Sequence, residues 1–145
     1  MKKQLLSLLT AIALLTGAGF TTLNAAQGMK QKPSKPFLIQ GKLPHLTMMV
    51  KAMWDDKDVA LTAKQKKELL VIRKETITQA KSLNKEIMPL EAEIVKASYD
   101  GVEPGKLKEK VQHLANLRAS ATMVHLECIY KTRLILTKEQ LEIIE

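Results

Sequence analysis

The chain predicts an all-α fold, a long helical hairpin flanked by short helices, on three observations. Apolar residues between positions 69 and 97, and again between 107 and 128, recur at steps of three and four, the spacing that lines one face of a helix. Asp100-Gly101 and Pro104 stand between the two runs, as residues that end one helix and open the next. No segment alternates apolar and polar residues for long enough to form a strand.

The first 26 residues stand apart from that fold. Lys2 and Lys3 precede a run at 5–15 that is apolar but for Ser7 and Thr10; Gly17 and Gly19 follow, and Leu23-Asn24-Ala25-Ala26 offers a small-residue cleavage site. This is the pattern of a secretory signal peptide. A retained anchor is the rival reading, but the run falls short of the ~20 residues that a span needs, so no stable membrane anchor is expected after cleavage. No cysteine sits near the cleavage site to carry a lipid. Residues 27–42 hold Gly28, Lys30, Lys32, Pro33, Lys35, Pro36 and Gly41 with few apolar groups, which predicts a flexible basic leader. The helical domain is expected over 43–145.

The 145 residues carry 23 Lys and Arg against 15 Asp and Glu, a net charge of +8; without Lys2 and Lys3 the balance is 21 against 15, or +6. For an exported protein this charge points away from nucleic acid and toward acidic protein surfaces, anionic lipid or cell-wall polymers. The charges are mixed along the chain, so much of the excess is a solvated surface. Cys128 is the single cysteine. It makes no internal disulfide, and is either buried and inert or a bridge between two chains.

Within the domain, Leu46, Met49, Val50 and Met53 predict a first helix over 45–57. A long helix should start at Thr62 and carry Leu69, Ile72, Thr76, Ala80, Leu83, Ile87, Leu90, Ile94 and Ala97 on one face. Pro89, inside that stripe, removes a backbone donor and should kink or split the helix. A second long helix, over 104–134, should carry Leu107, Val111, Leu114, Leu117, Ala121, Val124 and Cys128. A last helix over 137–145 is too short to hold alone and must pack on something. Two helices of about 50 Å enclose little interior. Each apolar face is longer than one partner helix covers, so a homodimer or an exposed apolar surface with a purpose is expected.

Two short segments match each other: Leu61-Thr62-Ala63-Lys64-Gln65 and Leu136-Thr137-Lys138-Glu139-Gln140. Each reads L-T-x-x-Q, a capping box in which Thr accepts from the third backbone N–H of the helix and Gln reaches back to the Thr N–H. A leucine before the cap can staple to the fourth helical residue; that is Leu141 in the second copy and Lys66 in the first. One such box is common in helical proteins. Two copies sharing both Leu and Gln, one opening a long helix and one near the C-terminus, form a more specific pattern.

With these two motifs the chain resembles the Spy/CpxP family of periplasmic proteins, whose hallmark is a pair of LTxxQ motifs. Leu61, Thr62 and Gln65 match the first, and Leu136, Thr137 and Gln140 the second. The signal peptide, basic leader and helical hairpin agree in architecture. The resemblance implies a cradle-shaped, all-α homodimer in the periplasm. It implies an ATP-independent chaperone for unfolded or misfolded envelope proteins, an adaptor that partners a stress sensor kinase, or a metal-responsive relative.

Two groups of side chains suit chemistry of their own. His45, Met49 and Met53 share one face of the first helix, with Met48 one position aside, and soft thioethers with an imidazole suit Cu(I). Met49 and Met53 read equally as core. Met48, Met49, Met53 and Trp54 also suit a flexible, polarisable surface that binds clients. His125 and Cys128, three apart, can touch one ion, but two ligands are too few for Zn unless a second chain adds more. Cys128 falls on the apolar stripe, where a small buried hydrophobe is the default. No nucleophile has both a base and an orienting group, so neither enzymatic activity nor a resident cofactor is expected. Metal binding or sensing, with Cu or Zn, is the alternative to the chaperone or adaptor function.

Overall fold

A computed structural model of the chain describes residues 35–39, 41 and 43–145. The expected signal peptide at 1–26 and the leader up to position 34 lie outside the described residues. Among the described residues four helices follow one another: α1 (Leu46–Ala52), α2 (Ala63–Tyr99), α3 (Pro104–Ile135) and α4 (Lys138–Ile144). The fold is all-α, with α2 and α3 forming the long hairpin and α1 and α4 the short flanking helices.

The hairpin turn follows from its residues. Gly101 takes φ +75°, a left-handed conformation that glycine adopts without steric penalty. Val102 N–H then donates to the Ala97 carbonyl and Gly101 N–H to the Ser98 carbonyl, the pair of bonds of a Schellman cap. Pro104 opens α3 at a position whose N–H would have no partner. Pro89 neither breaks nor ends α2, which runs unbroken over Ala63–Tyr99. Ile87 is buried and Leu83 and Leu90 are half-buried against α3, so both flanking turns are held in place. Pro89 leaves the Lys85 carbonyl without its usual helical donor, and both residues lie on the exposed side of the helix.

The inward stripe of α2 lies where its spacing places it, with Leu69, Ile72 and Ile87 buried and the remaining members half-buried. The stripe read for α3 fails at Val111, which is exposed. Lys110, half-buried, takes that turn instead and pairs with Glu93 across the hairpin. Thr122 and Thr132 are buried polar residues on the same helix. Their hydroxyls donate to the Arg118 and Cys128 carbonyls one turn earlier, at 2.8 and 2.7 Å, which removes the penalty of burying them unpaired. Helix α1 ends at Ala52, short of the expected 57, because Asp56 organises the following loop by accepting from Asp58 N–H and Val59 N–H.

Two apolar clusters hold these elements. One, in the middle of the hairpin, joins Ile87 to Leu117 and Ala121. The other lies where the four helices meet and buries Leu46, Val50, Val59, Leu69, Leu136 and Ile144. It gives α1 and α4, each 7 residues long, the packing that helices of this length require.

Over this second cluster the two LTxxQ motifs close on each other. Both capping boxes are formed, with Thr62 accepting from Gln65 N–H and Thr137 from Gln140 N–H. The Gln65 amide donates to the Gln140 side-chain oxygen at 2.7 Å and to the Ile135 carbonyl at 2.9 Å. In return the Gln140 amide donates to the Gln65 side-chain oxygen at 3.3 Å and to the Val59 carbonyl at 2.9 Å. Each glutamine thus caps its own helix and ties the backbone leading into the other motif. Leu61 and Leu141 pack on the cluster beneath, which contains Leu136.

Gln140 is buried, and its loss leaves the Val59 carbonyl and part of the Gln65 amide without partners. Gln140→Ala should therefore destabilise the chain by about 2–3 kcal/mol, combining a lost cap with unpaired buried groups. Gln112→Ala, which removes an exposed bond to Asn116, should change stability by less than about 0.5 kcal/mol. Urea unfolding followed by circular dichroism measures both.

Candidate interaction site

The residues expected to bind clients or metal divide between core and surface. Met49 and Met53 are half-buried and pack on the cluster formed by Leu46 and Val50. Met48, one position aside, is 57 % exposed. Trp54 packs its ring on the same cluster and lies under the Lys66 ammonium, 5.8 Å from the ring centroid. Lys66 is held there by Asp55 at 2.8 Å.

His45 stands at the start of α1, where its carbonyl accepts from Met49 N–H. Its ring stacks on His125 of α3, with centroids 4.7 Å apart and planes inclined by 21°. Phe37 stacks with His125 as well, at 4.9 Å and 29°, so two rings from just before α1 meet one from far along the sequence in α3. Cys128, one turn further along α3, is buried as a free thiol with its Sγ 3.9 Å from the Thr47 hydroxyl. Among the described residues no three His, Cys, Asp or Glu side chains are grouped to hold a metal ion.

Burial pushes the His125 imidazole below its ordinary proton affinity, and the nearby His45 and Lys35 add to this, while a hydrogen bond to the Pro44 backbone opposes it. The His125 Nδ1 is buried without a hydrogen-bond partner, as a neutral ring nitrogen tolerates better than a charged one.

The part of the leader that the structure describes is a strap along α3. Arg118 donates to the Lys35 carbonyl at 3.0 Å and pairs with Glu91 of α2 at 2.8 Å. Leu38 N–H donates to the Thr122 hydroxyl oxygen at 2.8 Å. Phe37 packs between the helices on the cluster containing Ile87, Leu117 and Ala121.

The outward faces carry a feature that the inward stripes conceal in the sequence. Leu70, Ile77, Met88, Val95 and Tyr99 are all exposed, from 37 % to 88 %. At about 100° per residue they fall within roughly 20° of one line along α2, well away from the buried stripe. Met123, Tyr130 and Leu134 make a shorter exposed line on α3. The spacing of seven, eleven, seven and four on α2 is visible in the sequence once a second stripe is sought.

Two grooves border the first turns of α2. One, of about 370 Å³, lies against α1 with Val50, Trp54, Leu69 and Leu70 as its apolar wall and Lys51, Arg73 and Asp55 at its edge. The other, of about 640 Å³, is open and has Val71, Ile72, Leu134 and Ile135 beside Lys64, Lys67, Lys131 and Glu68. Both pair apolar floors with edges on which cations outnumber anions. No described helix is long and apolar enough to cross a membrane. In comparisons with known proteins, no family model, no curated protein and no solved structure matches this chain.

The depressed His125 affinity fixes a pH dependence. The native ring binds fewer protons than the unfolded one, whose ordinary value is 6.5. The stack's contribution is therefore complete above about pH 6.5 and is lost as pH falls through the lower native value. Urea midpoints should fall between about pH 7.5 and pH 5.5, and His125→Phe, which keeps a stacked ring that does not titrate, should flatten that fall.

Proposed function

We propose that this protein is a periplasmic, ATP-independent chaperone or envelope-stress adaptor of the Spy/CpxP kind, working as a homodimer. The observation that carries the reading is the exposed apolar line of α2, Leu70 to Tyr99, together with the basic-edged grooves at its start. Apolar side chains aligned along one exposed face of a helix offer a surface that a partner can bind. A floor of Val, Leu and Ile takes the apolar side chains of an unfolded segment, and lysines at the edge attract its acidic residues. Binding of this kind is reversible and makes or breaks no covalent bond. The interlocked LTxxQ motifs support the family resemblance, because their mutual hydrogen bonds give both glutamines a reason to be present.

The shorter line of α3, with Met123, Tyr130 and Leu134, offers surface for a second copy or for the client. Steering by the net positive charge should make client capture faster at low ionic strength.

The test is light scattering of a chemically denatured protein diluted into buffer with the purified chain, a chelator and no ATP. The expected result is suppressed aggregation at near-stoichiometric amounts, weakened by salt. Leu70→Ser combined with Leu134→Ser should reduce suppression several-fold while changing stability by less than about 0.5 kcal/mol per site, since both residues are exposed. Unchanged aggregation with the intact chain would contradict the reading.

A further inference from the structure

The strap of residues 35–38 is seated in its groove as a bound peptide would be. Its main chain is held at both ends by α3, through Arg118 to the Lys35 carbonyl and through Thr122 to the Leu38 N–H. Between those two bonds Phe37 packs into an apolar slot on the buried cluster of Ile87, Leu117 and Ala121, and its ring meets His125. Pro36 has no N–H to satisfy and biases Lys35 toward an extended backbone. Main-chain bonds flanking a single side-chain pocket read peptide direction and one residue type while tolerating the rest of the sequence.

The strap is also placed to leave. Leu38 and Ile39 are 53 % and 47 % exposed, so Phe37 is the side chain by which this segment is anchored in the apolar slot. Segments with few buried apolar contacts open at a small fraction of the global unfolding free energy.

We infer that this groove on the α2–α3 hairpin is a recognition site for an extended peptide bearing an aromatic residue, filled in cis by the chain's own Lys35-Pro36-Phe37-Leu38 and open in trans to a client segment of the same chemistry. The inference rests on the client-binding reading and deepens it by naming the kind of segment taken and the element that competes for its place. A tethered strap competes at high effective concentration, so the groove takes a client segment when that segment is abundant or presented several times over.

The test uses a dye-labelled synthetic peptide with the sequence of residues 33–41, titrated against the full chain by fluorescence anisotropy. Phe37→Ala in the protein removes the anchor of the internal competitor, and the peptide should bind this variant about tenfold more tightly than the unaltered chain. The same substitution made in the peptide should abolish binding. Leu38→Pro provides a second variant. Leu38 is exposed, so the change leaves the core intact, removes the N–H that Thr122 accepts and keeps Phe37; it too should bind the peptide more tightly than the unaltered chain. Equal affinity for all three chains, or binding indifferent to the peptide's phenylalanine, would overturn the inference. Suppressed client aggregation without peptide binding would also overturn it while leaving the broader reading in place. Peptide binding of the expected pattern without aggregation suppression would sustain the groove and remove the chaperone reading.

Discussion

Everything in this fold hangs on a pair of glutamines. Gln65 and Gln140 lie 75 residues apart, and each satisfies its own helix start before reaching across to the other. A side-chain amide has two donors and an oxygen with two lone pairs, and here the donors and acceptors of both side chains are engaged. Shorter side chains do not reach the second partner, and a carboxylate lacks the donors. The pair fixes the entry of α2, the exit of α3, the start of α4 and the loop after α1 at one point. Hydrophobic contact alone, being non-directional, would leave the two short helices free to slide.

A two-helix hairpin so closed has consequences for its surface. One stripe of α2 is consumed by α3, and among the described residues no third layer of helices covers the outward apolar line of α2. The line from Leu70 to Tyr99 stays in water, and at mid-hairpin the chain supplies Phe37 from outside the helices to complete the cluster around Ile87. The stacked rings of Phe37, His125 and His45 couple that strap to the start of α1. A basic, apolar-floored surface therefore arises from the same thinness that makes the glutamine clasp necessary.

The helices and the clasp were legible to different degrees. The stripe of α2 could be read because periodicity is a local property and Leu69, Ile72 and Ile87 obey it. On α3, steps of three and four compete: apolar spacing favours Val111, whereas Lys110 takes the turn that faces Glu93 across the hairpin. The capping boxes were readable from Thr62 with Gln65 and Thr137 with Gln140, but nothing local says that the two boxes meet. The same holds for the site. Helical spacing relates His45 to Met49 and Met53, but it does not show the ring stack with His125, 80 positions away in the sequence. Phe37 sits among lysines and prolines, where composition argues for disorder, and its burial depends on a slot built by residues far along the chain.

The central claim is that the two motifs stabilise the fold through each other and not merely as separate helix caps. A double-mutant cycle tests it most directly: Gln65→Ala, Gln140→Ala and the double variant, each unfolded in urea. Independent caps would give additive losses, since each single substitution removes its own cap and the cycle cancels those contributions. The account predicts a coupling energy of about 1–2 kcal/mol between the two sites. A coupling near zero would mean that the motifs act as two unconnected helix starts, and would contradict it.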